Sequence, residues 1–219
     1  MELKEIKAAI KSWVDIRESP TEVIKYLNEG CCFKVERSFY EQWKKKNPPF
    51  IHIYFGIVET KMKVFMIDSV SDQEIAPDMS YLFEKDYLDG LDFSQEGFIA
   101  KSKSGDIGVK EALERSLRWT LFRNSWVQSQ VKSVDGIFKA FRFPFTDFEL
   151  EFSADAQNET VVTFGLQESN VPDLIMWGLD NADTDSATIV NSDVEDFSCP
   201  VPPYGSEDPE SDFGLLIDG

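Results

Sequence analysis

An α+β fold is predicted, with a mainly antiparallel sheet built from hairpins, packed against N-terminal helices and one long central helix. Three observations lead there. The first 47 residues carry short amphipathic helical patterns with start and stop signals. Residues 50–58 and 62–68 form two apolar runs joined closely enough for a hairpin. Residues 109–132 carry the longest helical pattern of the chain. Of 219 residues, 42% are hydrophobic and 13% aromatic, which excludes a generally disordered chain.

In residues 2–17, Leu3, Ile6, Ile10, Trp13 and Val14 recur at steps of three and four opposite Lys4, Lys7 and Lys11, predicting a helix. Ser19-Pro20-Thr21-Glu22 reads as a capping box with proline at the first helical position, and Gly30 stops that helix. A second box, Ser38-Phe39-Tyr40-Glu41, opens a helix bearing Trp43, and Asn47-Pro48-Pro49 ends it. Lys44-Lys45-Lys46 suits the negative end of that helix dipole. Residues 50–58 read as a strand buried on both faces, with 62–68 as its partner. Residues 69–107 read as mostly irregular, with weak regular structure near Tyr81–Leu88.

In the long helix, Val109, Leu113, Leu117 and Leu121 predict the apolar face, widened by Trp119, Phe122, Trp126 and Val127. Asn124-Ser125 marks a point where it could divide. Residues 137–143, 147–152, 160–167 and 173–179 read as strands; in the second, Phe148, Leu150 and Phe152 alternate with Glu149 and Glu151. Cys199 to Gly205 reads as extended, and the apolar patch Phe213–Ile217 predicts packing on the body. Phe55-Gly56-Ile57-Val58-Glu59-Thr60 resembles Phe164-Gly165-Leu166-Gln167-Glu168-Ser169, which raises the possibility of a duplicated hairpin.

Charge is distributed unevenly. Residues 1–142 hold all 22 Lys and Arg together with 22 acids, whereas residues 143–219 hold 18 acids and no base. The whole net charge of −18 therefore resides in the last 77 residues, which also carry apolar residues enough to fold. We expect one continuous domain over 1–219, subdivisible into a helix-rich, charge-neutral part (1–145) and an acidic, β-rich part (146–219). A strongly acidic chain disfavours nucleic acid and anionic membrane surfaces as partners. The charged N-terminus is unlike a signal peptide, and no apolar run is long enough to span a bilayer. Three cysteines, with Cys31 and Cys32 adjacent, suit a reducing cytoplasmic setting.

The chemistry-bearing candidates are sparse. His52 is the sole histidine, so any His-dependent nucleophile must pair with it, Cys31 or Cys32 being the nearest in kind. Its alternation with Phe50 and Tyr54 suits a packed histidine better. Asp180, Asp183 and Asp185 are spaced like oxygen ligands of a calcium loop, but Ser186 and Ser192 stand where the bend glycine and closing glutamate belong. No cofactor motif occurs: there is no dinucleotide fingerprint, P-loop, Cys-x-x-Cys or nucleophile elbow. The expectation is a non-enzymatic interaction module whose acidic C-terminal part docks a basic partner. Glu149, Glu151, Trp177, Asp180, Asp183 and Asp185 are its candidate contact residues. Inhibitors and immunity proteins that neutralise basic nucleases are a special case of that class. The alternatives are a small-molecule or divalent-cation module, or a carboxylate-dependent hydrolase.

Overall fold

The computed structural model describes residues 1–89, 107–153, 158–178, 194–195, 198–201 and 212–216. The fold is α+β, as the sequence predicts. Helices α1 (Leu3–Ile16) and α2 (Pro20–Leu27) precede strand β1 (Cys32–Glu36), which runs directly into α3 (Arg37–Trp43). Strands β2 (Phe50–Val58), β3 (Lys61–Asp68) and β4 (Leu82–Asp86) follow. The long helix α4 (Val109–Gln130) then leads to β5 (Ala140–Pro144), which runs directly into α5 (Phe145–Glu151). Strands β6 (Glu159–Leu166), β7 (Pro172–Gly178), β8 (Val194–Glu195) and β9 (Cys199–Val201) complete the order. No helix among the described residues is long and apolar enough to cross a membrane.

Four expectations need correction. Strand β1 is new: its five residues alternate in burial and pair with β6 across the chain. Ser38 does not cap α3, because Glu36 ends the strand and occupies that position. Residues 147–152 lie in and just after helix α5 instead of forming a strand. Phe145, Phe148 and Phe152 follow a helical period and are buried, while Leu150 is exposed, so the 3.6-residue pattern overrides the alternation. Helix α4 is not divided at Asn124-Ser125.

Two antiparallel sheets form, with orders β4-β3-β2-β5-β9 and β1-β6-β7-β8. The main core lies between them and includes Ile53, Phe55, Met66, Phe141, Val162, Phe164 and Met176. Aromatic rings contact one another through this layer, with Phe55 and Phe164 at 5.4 Å and Phe138 and Phe141 at 4.8 Å. Helix α1 and the segment 212–216 cover the outer face of the first sheet, and α4 covers that of the second.

The likeness of the two Phe-Gly hairpins extends to their pairing. Phe55 pairs with Val64 and Ile53 with Met66, just as Phe164 pairs with Leu174 and Val162 with Met176. Each hairpin accepts the first strand of the opposite half in a matching register. Phe33 of β1 faces Val162, and Phe141 of β5 faces Ile53. The bridge from Cys32 to Leu88 likewise matches the pairing of Ala140 with Val201. Apart from α2, which has no counterpart between α4 and β5, the halves share the order helix, strand, helix and hairpin, and they exchange strands between their sheets. Trp13 of α1 contacts Phe55 at 6.1 Å, as Trp119 of α4 contacts Phe164 at 4.9 Å. That match aligns Lys4-Glu5 with Lys110-Glu111.

Candidate functional site

The alignment of α1 with α4 isolates a surface. On the inward side, Ile6, Ala9, Ile10 and Trp13 correspond to Ala112, Arg115, Ser116 and Trp119, all buried or partly buried. On the outward side, Lys7, Lys11 and Asp15 correspond to Leu113, Leu117 and Leu121. At about 100° per residue, these leucines form a row opposite Ala112 and Trp119. They are 50%, 57% and 64% exposed, and Phe122 beside them is 53% exposed. In α1 the same places hold an ion pair, Lys11 to Asp15 at 3.0 Å. The leucines predicted to face the core therefore face outward, and Ala112, Trp119, Trp126 and Val127 take the inward side. Aromatic rings bury more area than leucines and win the inward positions. The exposed leucine row is a contiguous apolar patch on an otherwise charged helix, the kind of feature that marks contact sites.

Two ion-pair systems frame this helix. The Arg115 guanidinium reaches the fully buried Asp173 at 2.6 Å and also Glu111. Arg118 donates to the Leu166 carbonyl at 2.7 Å and approaches Glu168 at 3.5 Å. A cleft of about 610 Å³ between α4 and the β6–β7 turn is lined by these groups with Lys110 and Glu114. Its two arginines are engaged by protein oxygens, which suits a rigid helix support.

A second cluster lies on the outer face of the first sheet. His52 Nδ1 and Asp72 Oδ2 lie 2.7 Å apart, and the Tyr54 hydroxyl donates to the same carboxylate oxygen. Burial, and then the Asp72 charge, push the Tyr54 phenol well above its ordinary range. Asp68 accepts from the backbone N–H of Val70 and Ser71, at 3.0 and 2.9 Å. Asp68 Oδ2, Asp72 Oδ1 and Ser71 Oγ are buried without a hydrogen-bond partner among the described residues. The segment 212–216 covers the cluster. Phe213 stacks on His52 at 4.1 Å and meets Tyr54 edge-on at 5.7 Å, and Arg142 holds Asp212 at 3.0 Å. A histidine–carboxylate pair can act as a base, but here its ring lies beneath a phenylalanine and Ser71 makes no bond to it. The apolar patch at the end of the chain thus packs on the body where described: Phe213 and Leu215 are buried.

The structure disperses the predicted residues. Cys32 packs with Val161 on the second sheet, whereas His52 lies on the outer face of the first, so no Cys–His pair forms. A hydrogen bond from the Cys32 thiol lowers Cys31 to about 7; Arg123 also lowers it, while burial and Asp89 oppose the shift. Glu149 and Glu151 belong to α5 and are partly buried. Trp177 is 6% exposed, packs with Ile107, Ala112 and Ile175, and donates its indole N–H to Thr163 at 2.8 Å. Trp177 therefore packs beneath α4, the default place for a large aromatic. Asp180, Asp183 and Asp185 lie outside the described residues. Among the described residues, no group of three or more His, Cys, Asp or Glu is arranged to hold a metal ion. Sequence reasoning missed the outward leucine row, and the alignment of Trp13 with Trp119 was the signal that could have found it. No protein family model, curated protein or solved structure matches this chain.

Proposed function

We propose that this chain is a non-enzymatic protein-interaction module of the cytoplasm, whose acidic C-terminal part docks a basic partner. The leucine row of α4 carries the reading. The fold needs no apolar residue at those positions, because α1 fills the equivalent ones with Lys7, Lys11 and Asp15 and covers its own sheet. Three half-exposed leucines there support a surface kept for contact. The charge distribution supports the sign of the partner: all 18 net negative charges follow residue 142, and such a field attracts basic proteins. The exchange of strands between the two halves supports one continuous domain over 1–219.

The test is affinity capture from source cytosol with the intact chain, washed at low and high salt and read by mass spectrometry. A defined basic protein, retained at low salt and released at high salt, is the expected result. It should be lost from a variant with Glu149, Glu151, Asp180, Asp183 and Asp185 neutralised to amides. A nonspecific mixture of basic proteins, captured equally by that variant, would overturn the reading.

A further inference from the structure

The chain leaves β3 in a single helical turn. The Asp68 carbonyl accepts from the N–H groups of Ser71 and Asp72, at 3.1 and 3.0 Å. In such a turn a residue shares its face with those three and four positions on. Asp68, Ser71 and Asp72 hold these places and are 0%, 2% and 4% exposed. Each keeps one side-chain oxygen without a hydrogen-bond partner among the described residues: Asp68 Oδ2, Ser71 Oγ and Asp72 Oδ1. The other oxygen of each carboxylate is committed. Asp68 Oδ1 accepts from the N–H groups of Val70 and Ser71, and Asp72 Oδ2 meets His52 Nδ1 and the Tyr54 hydroxyl. Those bonds fix both carboxylates and leave three oxygens of one turn open on the same face.

We propose that this turn holds a hard divalent cation, Ca²⁺ or Mg²⁺, through Asp68 Oδ2, Ser71 Oγ and Asp72 Oδ1, with water completing the shell. The inference goes beyond the interaction reading and does not depend on it. Charge is the first argument. Buried charges are paired or coordinate metals. Among the described residues, His52 is the one basic side chain paired with either carboxylate. It brings at most one positive charge against two negative ones, whereas a divalent cation balances both.

The donor set is the second argument. Carboxylate and hydroxyl oxygens suit Ca²⁺ and Mg²⁺, while imidazole and thiolate select transition metals. His52 spends its Nδ1 on Asp72. Mg²⁺ is commonly held by one or two carboxylates with retained water, so two acids and a hydroxyl suffice where no three acids converge. The place in the fold gives the ion a consequence. The turn continues into Gln73 and Glu74, whose backbone lies 2.6–2.8 Å from where a Cβ on Gly214 would stand. A cation that fixes residues 68–72 therefore also fixes the surface on which Phe213 and Leu215 pack.

The test uses the full chain, stripped with EDTA and titrated with calcium chloride or magnesium chloride alone. Calorimetry and thermal unfolding are read against sodium chloride at matched ionic strength. One of the two ions should bind once per chain and raise the unfolding midpoint as the site fills. Asp68→Asn keeps an oxygen for the Val70 and Ser71 N–H groups but sets an amide nitrogen at the open position, and should abolish the response. Ser71→Ala removes one ligand and no hydrogen bond. It should weaken binding at least about tenfold, since even outer partners of metal sites are worth that much. Circular dichroism in EDTA should match wild type for both variants. A chain that responds to neither ion overturns the proposal and leaves the three oxygens to water alone. A response that survives both substitutions also overturns it, and moves the ion to acids elsewhere in the chain.

Discussion

Helices α1 and α4 occupy equivalent places in the two halves, yet their outer faces carry opposite chemistry. Each buries one tryptophan against the phenylalanine of a Phe-Gly strand, Trp13 on Phe55 and Trp119 on Phe164. Each covers the outer face of one sheet. Outward, α1 shows Lys7, Lys11 and Asp15, and α4 shows Leu113, Leu117 and Leu121. The shared part is what the fold requires, and the differing part is free for function. A comparison within one chain thereby supplies a control that periodicity in one helix cannot.

The sharpest way to break the comparison is at the tryptophans. Trp13→Ala and Trp119→Ala should each cost about 3–5 kcal/mol, since each empties a large buried site; urea unfolding measures both. Phenylalanine should then separate them. The Trp13 indole donates to the Phe138 carbonyl at 3.0 Å, whereas the Trp119 N–H is buried without a hydrogen-bond partner among the described residues. Trp13→Phe should therefore be the costlier change, by about 1 kcal/mol. Equal costs would mean that the two sites are less alike than their stacking implies.

Next in size is the position where α1 has Ala9 and α4 has Arg115. Arg115→Ala copies the α1 residue but leaves Asp173, 0% exposed, without its guanidinium. Removing one member of a buried pair costs about 3 kcal/mol, and the loss should fall when Asp173→Asn is added. A variant as stable as wild type would show that Asp173 is satisfied by other groups.

These halves were only partly legible in the sequence. Strand β2 was readable because it is buried on both faces and long, and α1 because its apolar and lysine faces separate cleanly. Strand β1 was not, because five residues between two helices acquire strand character from pairing with β6, more than a hundred residues away. Helix α5 was hidden by an accidental alternation, and only Phe145, which begins its helical period, resolves it. The leucines of α4 misled because apolar residues at steps of four suit a contact surface as well as a core; the competing tryptophans decided which. The His52 cluster required Asp72 and Phe213 to be brought together by the fold, which spacing along the chain does not reveal.

The two Phe-Gly strands offer a smaller contrast. A Cβ at Gly56 would lie 2.7 Å from the Phe65 ring and 3.0 Å from the α1 backbone at Ala9. At Gly165 the nearest atoms, 2.1 and 2.6 Å away, belong to the side chains of Asp173 and Ile175. Asp173 and Ile175 are fully buried, and Asp173 is held by Arg115, so neither can swing aside and Gly165→Ala should cost more within the usual overpacking range of about 1–3 kcal/mol. At the start of the exchanged strands, Cys31 corresponds to Lys139. The Cys31 thiol, lowered to about 7 by its bond from Cys32, should react with iodoacetamide increasingly as pH rises through 7. Burial raises Cys199, which should lag behind. Because the folded Cys31 ionises more readily than an unfolded thiol, its contribution to stability is full above the ordinary thiol range and is lost as pH falls through about 7. Cys32→Ser should move the Cys31 reactivity profile; an unmoved profile would assign the shift to Arg123 instead.

The smallest expected change in stability belongs to the substitution with the largest expected change in association. Placing Lys, Lys and Asp at 113, 117 and 121 removes no core contact, because all three leucines are at least half exposed. Lysine matches leucine closely in helix propensity, and aspartate costs about 0.5 kcal/mol. The monomer's unfolding midpoint in urea should therefore shift little, as the charged row on α1 shows that the fold tolerates it. A loss of several kcal/mol would place the leucines against parts of this same chain and remove the argument for an outside occupant. Retained stability together with lost capture of a partner would separate the two roles of α4, one side holding the sheet and the other holding a partner.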